Sequence, residues 1–188
     1  MVAPKQMLKL FPFTYCQNPS MYAVVDIETT GGSWSNGGRI IEVAVVKYDG
    51  IKEIDRWGSL VNPECTIPPF ITGLTGINNN MVQSAPRFHE IAKELILRTE
   101  GLTFVAHNVQ FDYRFIEAEY QRLGYRYIRK QLCTCKLSRK LLPQLSRHNL
   151  DTLLAHYAIT IPPGQRHRAL GDAIATAHVL GHLLNLIR

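Results

Sequence analysis

No apolar run in the sequence approaches the roughly 18 residues that a membrane-spanning helix needs. The N-terminal stretch LKLFPF is broken by Lys9 and Pro12 and is followed by no small-residue cleavage site, which makes it a poor secretory signal. These absences argue against a membrane partner, and they favour a cytoplasmic protein.

Cysteine is also scarce, with only four residues at irregular positions: Cys16, Cys65, Cys133 and Cys135. Such a set is too small for a disulfide scaffold. The C-x-C pair at Cys133 and Cys135 has no second pair to complete a zinc site. We therefore predict reduced thiols.

Acidic residues are missing from one long segment, Tyr120 to Leu150, although the whole chain has 15 Asp and Glu against 21 Lys and Arg. The same segment carries the basic residues Arg122, Arg126, Arg129, Lys130, Lys136, Arg139, Lys140 and Arg147. A basic segment of this kind is typical of a path for a polyanion such as nucleic acid. A solvated helical face explains it equally well, so the segment alone leaves both interpretations open.

The overall composition indicates one globular domain. Apolar residues make up 46% of the chain and charged residues 19%, and 188 residues suffice to bury roughly 70% of the unfolded surface. We divide the chain into an N-terminal arm, residues 1–20, and a single domain, residues 21–188.

Three strand-like runs open this domain, at residues 21–27, 40–48 and 54–61. Short Gly-rich or charged turns join them, which predicts an antiparallel meander. Strands at 102–107 and 130–135 then alternate with helices, which are predicted within 84–101, 108–124, 136–142, 149–158 and 168–187. Asn108 is the expected N-cap of the second helix and Gly124 its end. The pattern predicts an α/β fold with helices packed on a mixed sheet.

Two carboxylates, Asp26 and Glu28, end the first apolar run, YAVVDIETTGG. Side chains alternate along a strand, so both point to the same face, with Cα atoms about 6 to 7 Å apart. Two like charges this close raise each other's pKa or need a cation between them. Oxygen ligands of this type suit Mg²⁺ or Mn²⁺, although a strand that simply ends in solvent would look the same.

Asp112 and Asp172 each lie on a helical face that is otherwise apolar. Asp112 has an alternative explanation, because a carboxylate in the first turn of a helix is stabilised by the helix dipole. Asp172 is harder to explain, since an unpaired carboxylate on a buried face is costly. His167 stands five residues before it, in a loop rich in Pro, Gly and Arg.

Taken in order, the motifs D-x-E-T-T-G, H-N-x-x-F-D and H-x-x-x-x-D resemble those of the DEDDh (DnaQ-like) family of 3′-5′ exonucleases, which includes the proofreading epsilon subunit of bacterial DNA polymerase III. The resemblance runs from about Tyr22 to Leu184 and extends to IPPFITGLTGI and HNLDTLL. It implies a ribonuclease H-like fold, with a mixed five-stranded sheet whose first three strands are antiparallel.

By this resemblance, Asp26 and Glu28 are the first acidic pair, and Asp112 and Asp172 are the remaining acids. Together they would hold two divalent ions, Mg²⁺ or Mn²⁺, while His167 would serve as the general base. The family lines its pocket for the terminal nucleotide at positions that correspond to Thr29, Ile71, Thr72, Asn108 and Phe111. An ordinary core role explains Ile71 equally well, and for His107, also in the motif, we predict a structural hydrogen bond.

The expected activity is the metal-dependent removal of 5′-mononucleotides from single-stranded or frayed DNA ends, in proofreading, repair or trimming. The expected partners are DNA with a single-stranded 3′ end and, as a further candidate, a DNA polymerase subunit. One alternative is an RNA-trimming exonuclease of the same family. Another is a catalytically silent nucleic-acid-binding module, whose expected signature is the loss of an acid or the histidine, and all five residues are present.

Overall fold

The computed structural model describes residues 21–187, so the predicted arm, residues 1–20, lies outside the described part. Five strands form one sheet: β1 (Tyr22–Thr29), β2 (Ile40–Tyr48), β3 (Glu53–Leu60), β4 (Thr103–Ala106) and β5 (Gln131–Cys133). Their order is β3-β2-β1-β4-β5. The first three strands pair antiparallel, and β4 and β5 continue the sheet parallel to β1. The predicted mixed five-stranded sheet with its antiparallel meander is confirmed.

Helices connect and cover the strands: α1 (Pro69–Thr75), α2 (Asn79–Gln83), α3 (Phe88–Thr99), α4 (Gln110–Arg122), α5 (Thr134–Leu141), α6 (Leu150–His156) and α7 (Ala169–Asn185). One face of the sheet packs against α3 and α4 in a cluster that includes Val25, Leu95 and Ile116. The opposite face packs against α7, in a cluster that includes Val24 and Leu180. None of the helices within residues 21–187 is long and apolar enough to cross a membrane.

Two short helices, α1 and α2, have no counterpart among the elements predicted from the sequence. The Pro pair at Pro68 and Pro69 favours a loop in the sequence. Pro69 instead occupies the first position of α1, where a missing N–H costs nothing. The helices bury Ile71 and Val82 against Ile41 of the sheet, so packing rather than periodicity stabilises them.

Two local predictions are wrong. The strand expected at 130–135 ends at Cys133, because its Sγ accepts the Lys136 N–H at 3.5 Å and caps α5. Asn108 is not the N-cap of α4: the N-cap is Val109, and Asn108 lies just before it with φ of 68°. Gly124, by contrast, follows the end of α4 with φ of 77°, as expected. Cys65, Cys133 and Cys135 are free thiols, while Cys16 falls outside the described residues.

Candidate active site

The acids of β1 lie on the sheet face that α7 covers. Val24 packs against α7, whereas Val25 and Ile27 belong to the cluster on the opposite face. Because side chains alternate along a strand, Asp26 and Glu28 share the face of Val24 and point toward α7. The strand that carries them is the central one of the sheet, paired on both sides, which gives the two carboxylates a rigid base.

Asp172, in the first turn of α7, completes a three-carboxylate cluster. Its carboxylate and those of Asp26 and Glu28 each offer one oxygen within 4.8 Å of the other two. Asp172 is only 4% exposed, and its Oδ1 has no hydrogen-bond partner within residues 21–187. An unpaired buried oxygen is costly. The donor set therefore fits a hard divalent cation such as Mg²⁺ or Mn²⁺, which takes oxygen ligands.

Burial and mutual repulsion shift the titration of this cluster. The pKa of Asp26 is raised well above its usual range, chiefly by burial and then by Asp112, Asp172 and Glu28. Burial, followed by the charges of Asp172 and Glu42, raises the pKa of Glu28 to about 7. Burial also raises the pKa of Asp172, against the opposing charge of Arg166. A bound cation would reverse these shifts by favouring the ionised forms.

Asp112 approaches the same region from another side. It is 3% exposed in the first turn of α4, the helix that follows β4, the parallel neighbour of β1. Burial raises its pKa to about 8, while the backbone N–H groups of Asp112 and Ile27 oppose the rise and the charge of Glu28 adds to it. It is not part of the cluster within 4.8 Å. Asp112 thus interacts electrostatically with the cluster without sharing its closest contacts.

His167 and Arg166 lie on the loop before α7. His167 adopts a left-handed backbone with φ of 58°, and its N–H donates to Asp172 Oδ2 at 3.3 Å. Arg166 donates from Nη1 to the same Oδ2 and from Nε to Asp151 Oδ1 at 2.8 Å. Its Nη1 also lies 3.3 Å from His167 Nδ1. No sequence pattern places Arg166 among the acids, since its partners are known only from the fold.

Arg168, on the other side of His167, pairs with an acid outside the three-carboxylate cluster. It donates to Glu42 on β2 from Nη2 at 2.6 Å and from Nε at 3.1 and 3.2 Å. Glu42 also accepts the N–H of Ala169 at 2.8 Å and so caps α7 across the sheet. Sequence reasoning missed this carboxylate, although an acid inside the apolar run RIIEVAVV was a usable signal.

Gly171 lets the loop approach α7 closely. A Cβ at this position would lie 2.0 Å from the carbonyl oxygen of Gln165, a backbone atom that cannot move aside easily. The residue therefore must lack a side chain if Arg166 and His167 are to keep their places beside Asp172.

The five predicted pocket residues differ in burial and in the contacts that they make. Thr29 is buried and donates to the Gly31 carbonyl at 2.8 Å. Ile71 is buried with Ile41 and Ile67, Phe111 packs against the cluster on the α3 and α4 face, Thr72 is half-buried and Asn108 is exposed. An open cleft of about 410 Å³ lies beside them, between the turn Thr30–Gly38 and Pro68, and none of the five lines it. Their role in binding stays a prediction.

The predicted structural role of His107 agrees with its contacts. Its Nδ1 lies 3.0 Å from Thr134 Oγ1, and burial lowers its pKa to about 4, so the ring is neutral at physiological pH.

The acid-free segment, residues 120–150, divides into structural and free cations. Arg122 pairs with Glu119 at 3.0 Å, and Arg129 donates to the Thr99 carbonyl at 3.0 Å. The exposed cations of α5, by contrast, form no ion pair with any described residue: Lys136, Arg139 and Lys140. The cations of α5 fit a solvated helical face, and a path for a polyanion stays a prediction.

The chain is similar to known proteins over most of its length. A family model described as "Exonuclease" (RNase_T) matches residues 23–180. A DNA polymerase III PolC-type protein of Caldanaerobacter subterraneus is 38% identical over 167 residues, which are 89% of this chain and 12% of that protein. The 3′-5′ exonuclease DinG of Bacillus subtilis is 34% identical over 172 residues, 91% of this chain and 18% of its own length. The chain thus spans less than a fifth of either relative.

A solved structure, exonuclease X in complex with 5′ overhanging duplex DNA, matches more completely. It is 30% identical, has a TM-score of 0.70, and the match covers 87% of this chain and 91% of that one.

Proposed function

Because the chain belongs to the DnaQ-like family of 3′-5′ exonucleases, we propose that it removes 5′-mononucleotides from single-stranded or frayed 3′ ends of DNA with the help of divalent ions. The observation that carries this proposal is the convergence of Asp26, Glu28 and Asp172 within 4.8 Å around an unpartnered buried oxygen. Such a cluster is unfavourable without a cation.

We propose that Asp26, Glu28 and Asp172 hold one Mg²⁺ or Mn²⁺ ion, and that Asp26 with Asp112 supports a second. Ions of this type polarise a phosphoryl oxygen and lower the pKa of bound water. The carboxylates would hold the ions in fixed positions, because β1 is paired with a neighbouring strand on each side. The first turn of α7 fixes Asp172 relative to them.

His167 is the proposed general base, which accepts the proton of the attacking water. Imidazole exchanges protons near neutral pH and suits this task. Its backbone N–H contacts Asp172, so the ring is held next to the acids while it stays half-buried and accessible.

DNA is the preferred polymer in this proposal because exonuclease X, a relative covered over nearly its full length, was solved with duplex DNA. The free cations of α5 support a polyanionic substrate without distinguishing DNA from RNA. The PolC-type relative suggests work beside a DNA polymerase as the cellular setting, and a cytoplasmic location stays a prediction.

A time course on 5′-labelled single-stranded DNA and RNA of one sequence, with Mg²⁺ and with a chelator, tests the function. We expect a ladder of shortened DNA products in Mg²⁺ and none with the chelator. A ladder from RNA alone would assign the exoribonuclease alternative. Intact polymers of both kinds in Mg²⁺ or Mn²⁺ would reject the enzyme and favour the silent binding module.

A further inference from the structure

We propose that Arg166 is the resident counter-ion of the acidic cluster in the metal-free protein, and that it transfers to Asp151 when a divalent ion binds. The inference rests on the proposed metal-dependent function. It makes Arg166 a residue that sets the metal affinity of the site.

The contacts of Arg166 place its charge between two acids of different kinds. Its Nη1 donates to Oδ2 of Asp172, which is buried, and its Nε donates to Oδ1 of Asp151 at 2.8 Å. The Asp151 side chain is 64% exposed and lies in the first turn of α6. The guanidinium therefore bridges the cluster and the surface.

The charge of Arg166 reaches the whole cluster. It counters the upward pKa shifts of Asp26, Glu28 and Asp172. Among the described residues it is the cation that contacts a member of the cluster through its side chain. The metal-free acids are thus partly neutralised by this guanidinium, and Arg168 adds a smaller effect of the same sign at Glu28.

A divalent ion and this guanidinium compete for the same carboxylate. Arg166 holds Oδ2 of Asp172 and an ion would take its unpartnered Oδ1, and two cations bound to one carboxylate repel each other at such short range. Arg166 already contacts Asp151, so it has a second partner to hold once it leaves Asp172. The displacement requires rotation of a long side chain and no rearrangement of the fold.

The same movement would free His167. The guanidinium has only donors, so the Nδ1 atom 3.3 Å from it acts as an acceptor in the metal-free arrangement. When Arg166 leaves, the lone pair of His167 Nδ1 becomes free to accept a proton. This happens as the acids bind the ion. Metal binding and readiness of the histidine are therefore coupled through one side chain.

Titration with Mn²⁺ or Mg²⁺ in the absence of nucleic acid tests the proposal, with the metal dissociation constant as the readout. We expect Arg166→Gln to bind metal about tenfold more tightly, because a competing cation is gone. Asp151→Asn should bind about threefold more weakly, because Arg166 loses its alternative partner. In the Arg166→Gln background, Asp151→Asn should lose most of this effect, because only the direct charge of Asp151 on Asp172 remains.

The matched controls are Arg98→Gln and Asp55→Asn. Arg98 also bridges two acids, Asp55 at 2.6 Å and Glu94 at 2.7 Å, but it is not among the charges that shift the titration of the cluster. Both controls should leave the metal affinity unchanged.

Three results would overturn the inference: weaker or equal metal binding by Arg166→Gln, unchanged binding by Asp151→Asn, or an Asp151→Asn effect that is undiminished without Arg166. Because Asp151 is exposed, its variant should fold and keeps the test valid even if Arg166→Gln does not. A wild-type protein that binds no divalent ion would instead reject the proposed function, and with it the inference.

Discussion

Glu28 and Glu42 lie directly opposite each other on β1 and β2, yet the structure treats them differently. Glu42 receives three hydrogen bonds from Arg168 and one from the N–H of Ala169. No hydrogen bond or ion pair from residues 21–187 reaches the Glu28 carboxylate, whose pKa rises to about 7. Like charges at opposite positions of a sheet destabilise it. The fold therefore neutralises Glu42 and leaves Glu28 available to a cation.

Burial of an acid does not by itself indicate a metal ligand. Glu42 is 8% exposed and Asp172 is 4% exposed. They differ in whether the fold supplies their partners: Glu42 has all of its charge paired, whereas Asp172 retains an oxygen without a partner. Unmet bonding capacity is the better indicator of a ligand site.

Glu28→Gln should have the largest effect on activity, because it removes a proposed metal ligand without changing side-chain size. We expect the exonuclease rate to fall at least about a thousandfold, equivalent to about 4 kcal/mol of transition-state stabilisation. The folded protein should be no less stable, since a repulsive charge is removed. Steady-state rates and urea unfolding check both points, and a rate within tenfold of wild type would remove Glu28 from the metal site.

The folding stability of the metal-free protein should depend on pH through the Glu28 carboxyl. A carboxyl whose folded pKa of about 7 exceeds its ordinary value of 4.5 binds protons more tightly in the folded state. Folding stability is therefore highest below about pH 4.5 for this group and decreases as pH rises to 7, by up to about 3 kcal/mol. Unfolding with chelator between pH 5 and 8 should show this loss, and Glu28→Gln should flatten it. An unchanged slope in that variant would contradict the assignment.

His167→Ala tests the residue between the two arginines. We expect a loss of about a hundredfold in rate, typical of a general base, with metal affinity retained because no ligand is removed. Single-turnover rates across pH, together with metal titration, distinguish a lost base from a distorted site. Near-normal turnover would reject the general-base role.

Glu42→Gln should have the opposite phenotype to Glu28→Gln, with a larger loss of stability and a smaller loss of rate. The amide cannot neutralise Arg168, so we expect a loss of about 2 kcal/mol in the free energy of unfolding. The rate should fall far less than in Glu28→Gln, because Glu42 does not contact the proposed metal. Equal losses of rate in the two variants would show that the two carboxylates are not functionally distinct.

Arg168→Lys should have the smallest effect. The ammonium keeps the charge but lacks the two-armed contact with Glu42, so about 1 kcal/mol of stability should be lost. Thermal unfolding measures this change, and a loss as large as that of Glu42→Gln would mean that hydrogen-bond geometry, rather than charge, holds α7 to β2.

Much of the fold could be predicted because its signals are local. Alternation in YAVVDIET predicted that Asp26 and Glu28 share a face, and the face they share is the one covered by α7. The helical stripe around Asp172 predicted its burial, and the residue is 4% exposed. The antiparallel meander followed from short turns between apolar runs.

The features that escaped prediction depend on the folded chain. Glu42 and Arg168 are 126 residues apart in sequence, and no periodicity links them. Arg166 contacts Asp151 and Asp172 only after α6 and α7 have packed in the folded chain. Asn108 looked like an N-cap by residue type, but the backbone turns left-handed there and α4 begins after it.

The position of α7 also determines when the protein becomes active during its own synthesis. Asp26 and Glu28 leave the ribosome before His167 and Asp172, and α7 must then dock against β1 and β2. Proteins fold from the N-terminus as they are made, so a nascent chain with β1 to β4 already paired still lacks the last acid and the base. Under the proposed mechanism, such a chain has no nuclease activity until α7 docks against the sheet.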